Sequence, residues 1–161
     1  MRYFKISVLI IISYILELAV FSKLKLLGVV PNMVLVLVVC FSLGENDWMY
    51  AGILGALSGL LIDMSASSIV GLNALLCMYT GVLCSCLSQK FFRGKFTVSI
   101  LFVFALSVIY ELLVYVFGFA LFNESDFLFS VLNVILPVAF LNTIFAIIMY
   151  VPVKNINKAY Y

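Results

Sequence analysis

The chain has 161 residues, 66% of them hydrophobic and 10% charged, with a net charge of +2. A soluble domain carries roughly 45–50% apolar and about 25% charged residues, and a fold of this size could not hide so much apolar surface from water. The composition therefore excludes a soluble globular protein and points to an integral membrane protein.

Six apolar segments are expected to be transmembrane helices: residues 4–21, 26–43, 48–64, 69–88, 96–122 and 127–152. Each is near the roughly 20 residues that cross a bilayer as an α-helix. They predict an all-α bundle of six transmembrane helices, forming one domain over residues 1–161. The first segment has the outline of a signal peptide, with Arg2 and Lys5 ahead of an apolar run. However, Glu17 interrupts that run, no small-x-small cleavage site follows, and more spans come after it, so it reads as a retained span. The second contains Pro31; either its helix starts there, with proline in the tolerated first turn, or it starts earlier and kinks.

The third segment is rich in small residues. At about 100° per residue, Gly52, Ala56, Gly59 and Asp63 share an arc of about 60°, and Gly55 lies about 60° from Gly52. Small residues let helices approach closely in lipid. The third helix is thus expected to be buried, its small face serving bundle packing or partner binding and its aspartate directed at neighbours. Four cysteines, Cys40, Cys77, Cys84 and Cys86, lie in apolar runs and read as small buried hydrophobes. The chain has no histidine, so no metal site is expected. The sixth segment contains Pro137, which predicts a kink.

Charge sets the expected topology. With both termini in the cytoplasm, Arg2, Lys5, Lys90, Arg93, Lys95, Lys154 and Lys158 lie inside and only Lys23 and Lys25 outside, as the positive-inside rule prefers. Glu124 and Asp126 then fall in an outer loop, while Tyr3, Trp48, Tyr150, Tyr160 and Tyr161 lie near the inner boundary. These short basic clusters between apolar runs read as topology signals, not as a nucleic-acid footprint.

Three carboxylates fall inside spans: Glu17, Asp63 and Glu111. A charge at the bilayer centre costs about 2.5–3.5 kcal/mol on insertion scales, so each requires a reason. At 1.5 Å per residue all three sit about 20 Å above the inner boundary. Asn73 and Asn133, near the starts of the fourth and sixth spans, reach a similar level. Two readings stand. Either these five residues form an outer polar cluster or cavity, or Asp63 simply ends its helix and Glu17 snorkels outward. Tyr14 lies one turn from Glu17, and Ser107 and Tyr115 one turn either side of Glu111.

The chain shows no HExxH, GxSxG or phosphate-binding loop, and Asp63 is the sole intramembrane aspartate, so neither an enzyme nor a cofactor is expected. The stretch "VVPNMVLVLVV" at 29–39, followed by "GILGALSGLLIDMSASSIVGLNAL" at 52–75 and the basic "QKFFRGKF" after the fourth span, resembles the rod shape-determining MreD family. The matching positions are Pro31, Asn32, Gly52, Gly55, Gly59, Leu61, Asp63 and Gly71, with Asn32 replacing the family's commoner aspartate. The resemblance implies a non-enzymatic subunit of the bacterial elongation machinery in the cytoplasmic membrane. It implies binding to MreC and, through MreC, to RodA and a class B penicillin-binding protein in control of peptidoglycan synthesis. It also implies a fold similar to the S components of energy-coupling-factor transporters, which leaves capture of a vitamin-like ligand as the alternative.

Overall fold

The structure, a computed structural model, describes residues 2–21, 23, 28–66, 70–91, 96–122 and 127–158. Among the sequence features above, Lys25, Arg93, Lys95, Glu124, Asp126, Tyr160 and Tyr161 lie outside the described residues. The described elements are all helical. In chain order they are α1 (Arg2–Leu16), which continues as a π-helical turn (Glu17–Phe21); α2 (Met33–Ser42); α3 (Trp48–Ala66); α4 (Leu72–Phe91); α5 (Phe96–Phe122); and α6 (Leu136–Lys158). A helical turn (Phe127–Ser130) and a second π-helical turn (Val131–Ile135) lead into α6. Among the described residues, four stretches are long and apolar enough to cross a membrane: Phe4–Phe21, Trp48–Ser65, Ser99–Phe117 and Val131–Val153. Met33–Ser42 and Leu72–Leu87 are apolar but shorter.

The core of the bundle is α2. All ten of its residues are buried, and it contacts each of the other five helices. Its sequence, MVLVLVVCFS, has no polar side until the final serine. A helix that is apolar all round belongs inside other helices. Its valines are weak helix formers, so packing rather than propensity holds this segment helical. At about 15 Å it spans only half of a roughly 30 Å hydrocarbon core.

The sequence places the start of this helix near residue 26 or at Pro31. It starts at Met33, with Asn32 as the N-cap. Pro31 is therefore ahead of the helix, as the restricted geometry of the residues around proline favours. Residues 29–32 ahead of the helix are not helical, and Gly28 has φ 83°, a left-handed conformation that glycine adopts freely.

The third helix is not the buried one that its small residues suggest. Its glycines pack against α4 and the helix also meets α2 and α1, while Ile53, Leu57, Leu60 and Met64 point outward. A side chain added at Gly55 would strike the backbone at Cys77 and Met78, and one at Gly59 the backbone at Asn73 and Ala74. From α4, a Cβ on Gly81 would lie 2.5 Å from the Ala51 carbonyl oxygen. Rising numbers on α3 meet falling numbers on α4, so the two form an antiparallel hairpin with backbones in close approach. Small residues on one side of a helix accommodate one such neighbour, and the bulky residues opposite remain available to lipid.

Pro137 shows its effect just ahead of itself. The π-helical turn Val131–Ile135 ends where Leu136 N–H donates to the Val131 carbonyl. Proline has no N–H to give the carbonyl four residues back, and a π turn re-routes the ladder around that gap. Of the cysteines, Cys40, Cys77 and Cys84 are buried but Cys86 is exposed. Two helical residues differ by about 200°, so Cys84 and Cys86 cannot both face inward.

The contacts at the glycines predict their tolerance. Gly59→Ala forces α3 and α4 apart and should lower stability by about 1–3 kcal/mol, the usual range for overpacking. Gly52→Ala meets side chains rather than backbone, the Val82 methyl at 2.9 Å and Met78 Cγ at 3.9 Å, and should cost less than Gly59→Ala. Thermal unfolding of the two variants in detergent, followed by circular dichroism, checks the difference.

Candidate functional site

The polar residues inside the bundle gather at the starts of two helices. The first N–H groups of a helix have no intrahelical partner, and within a membrane no water supplies one. At the start of α2, the Met33 N–H donates to Glu17 Oε2 at 2.9 Å. Asn32 N–H donates to Asn142 Oδ1 at 2.8 Å, and Leu35 N–H donates to Asn32 Oδ1 at 2.9 Å. The Asn142 side-chain amide in turn donates to Ser107 Oγ at 3.1 Å. Thus α1, α5 and α6 each contribute a group to the ordering of one helix end.

The start of α4 is built the same way. Asp63 accepts from the N–H groups of Gly71 at 3.0 Å, Asn73 at 3.3 Å and Ala74 at 3.0 Å. Gly71 has φ 95°, and this left-handed turn, which favours glycine, aims its N–H back at the carboxylate of α3. A carboxylate at a helix N-terminus also interacts favourably with the helix dipole, by up to about 2 kcal/mol when partly buried.

Tyr110 of α5 joins the two sites. Its hydroxyl donates to Asn73 Oδ1 at 2.6 Å and also lies against the side chains of Asn32 and Cys77. Glu111, the next residue, is half-buried and lies close enough to Glu17 for the two carboxyls to interact.

Of the five residues expected to form an outer cluster, Glu17, Asp63 and Asn73 belong to these connected helix starts, and Glu111 lies beside Glu17. Asn133 is exposed, in the π turn ahead of α6. Asn142, nine residues on, is fully buried and accepts from the start of α2. Asn142 and Tyr110 were not singled out by the sequence. A lone Asn in the apolar run "AFLNTIFAII" was the available signal, because polar groups within spans generally face the bundle interior. Of the residues carrying the family resemblance, Asn32, Asp63 and Gly71 lie at the two helix starts and Pro31 immediately precedes the first. Gly52, Gly55 and Gly59 line the α3–α4 contact, with Ala56 half-buried beside them.

The family model described as rod shape-determining protein MreD matches residues 1–159. The chain belongs to the MreD family. No curated protein and no solved structure matches it. MreD membership makes this a rod shape-determining membrane protein, consistent with the four membrane-length apolar helices among the described residues.

The capping geometry predicts unequal costs. Asp63→Ala strands three backbone N–H groups and Asn142→Leu strands the Asn32 N–H. At about 1–3 kcal/mol for each buried group left unsatisfied, both should be destabilised, Asp63→Ala more. Met64→Ala, at an outward position, is the neutral control. Unfolding midpoints in detergent give the comparison.

Proposed function

We propose that this MreD protein is a non-enzymatic subunit of the bacterial elongation complex that binds MreC and helps regulate peptidoglycan synthesis and cell shape. The observation that carries the reading is the family match over residues 1–159. In this reading MreC links the protein to RodA and a class B penicillin-binding protein, and membrane lipid surrounds the rest.

The same reading gives it six transmembrane helices in the cytoplasmic membrane, with both termini in the cytoplasm. The seven-to-two distribution of Lys and Arg supports that orientation. The ten-residue α2 counts as a crossing when it is joined to the largely buried, non-helical residues 29–32 ahead of it, whereas α4 has 20 residues of its own. Irregular backbone is tolerated at membrane depth where protein satisfies its polar groups, and the bonds at Asn32, Met33, Gly71 and Asn73 do so. The fold kinship with S components of energy-coupling-factor transporters belongs to this proposal as well. A vitamin-capture function finds no support: the oxygens described for Glu17 and Asp63 bind backbone N–H groups of the chain itself.

Two measurements test the proposal. The tagged full-length chain, extracted from its native membrane in mild detergent, should co-purify MreC, and depletion should turn rod-shaped cells round. Retained rod shape together with absence of MreC from the purified material would refute it. A reporter that is active only in the cytoplasm, fused after residue 161, should be active; an inactive reporter in a full-length fusion would reverse the assigned topology.

A further inference from the structure

An apolar groove of about 420 Å³ opens on the membrane-facing side between α1 and α3. Ile10 and Leu54 form its buried floor, and Ile11, Ile53 and Leu57 form exposed rims. Three features identify what fits it.

The first is length. Along α3 the groove runs from Tyr50 to Leu61, about 16 Å of helix, which equals one leaflet of a roughly 30 Å hydrocarbon core. The second is polarity. Ser7 and Tyr50 lie at the end where α1 and α3 begin, and the walls above them are aliphatic. The remaining polar residue, Ser58, is buried and its hydroxyl donates to the Leu54 carbonyl at 2.6 Å, so it is engaged within its own helix. The groove is therefore polar at one boundary and apolar toward the bilayer centre. The third is size. About 420 Å³ spread over about 16 Å of length leaves a narrow cross-section of about 25 Å², slender enough to take one extended hydrocarbon chain.

We propose that this groove is a binding site for one acyl chain of a phospholipid in the leaflet next to the N-terminus. Its ester lies at the level of Ser7 and Tyr50, and its tail lies along Leu54, Leu57 and Leu61. The site is independent of the MreC-binding reading.

The test uses the full chain in phosphatidylethanolamine–phosphatidylglycerol vesicles doped with phosphatidylglycerol carrying a diazirine in its tail. After illumination, labelled positions are mapped by mass spectrometry. Labelling at Ile11, Ile53 and Leu57 should exceed, several-fold, that at Leu75, Tyr79 and Leu83, which are exposed on α4 and meet bulk lipid. Leu57→Trp, at an exposed rim position, should fill the groove and reduce labelling of Ile11 and Ile53 several-fold while leaving the α4 face unchanged. Equal labelling of the two faces in the unaltered protein would overturn the proposal without recourse to any variant. Loss of groove labelling in the complex purified with MreC would overturn it in favour of a partner helix.

Discussion

The start of α2 is the constraint around which the bundle is arranged. A helix that begins inside a membrane protein exposes N–H groups where no water can reach them, and each one left unsatisfied costs several kcal/mol. The chain meets this with side chains from separate elements. Glu17 comes from the end of α1, Asn142 from α6, and Asn32 from the cap itself. Ser107 of α5 then orients Asn142. A local requirement of one short helix thereby fixes the positions of three others, and the fully buried α2 becomes the post around which they stand.

Helices in lipid gain little from apolar contact alone, because the surrounding tails are as apolar as leucine. Association depends on close packing or on polar groups that need each other. Both means occur here, in different places. The α3–α4 hairpin is held along its length by backbone approach at Gly55, Gly59 and Gly81. The centre is held by hydrogen bonds at helix starts. Asp63 belongs to both arrangements: it ends the small face of α3 and caps the first turn of α4. Tyr110 then ties that hairpin to α5 through Asn73, so the glycine-packed pair and the polar centre are mechanically continuous.

Membrane class and family were legible in the sequence, because hydropathy sums over many residues and the motifs keep their order along the chain. The length and centrality of α2 were not. Residues 26–43 are apolar whether they run as helix or as buried extended chain, and hydropathy does not distinguish the two. The glycine spacing signals close approach but not the number of neighbours, which is why α3 reads as buried although Ile53, Leu57 and Met64 face outward. A depth count presumes uninterrupted α-helix, whereas residues 131–135 form a π turn, and buried Asn142 has no sequence signal beyond a lone Asn in an apolar run. Capping partners are separated by 16 residues for Glu17 and Met33 and by 110 for Asn32 and Asn142, distances over which no local pattern carries information.

The three acids of this apolar chain do not share one role. Glu17 and Asp63 do the same task in successive hairpins: each comes from one helix and closes the first turn of the next. Glu111 lies within α5, away from the capped starts of α2 and α4 in sequence, and is half-buried beside Glu17. Replacing Glu17 or Asp63 removes an acceptor from a backbone donor within the bundle, so its first consequence is structural. A substitution at Glu111 leaves those caps in place. Defects in partner binding at Glu17 or Asp63 consequently report on the bundle as a whole, whereas a defect confined to Glu111 would report on that carboxyl itself.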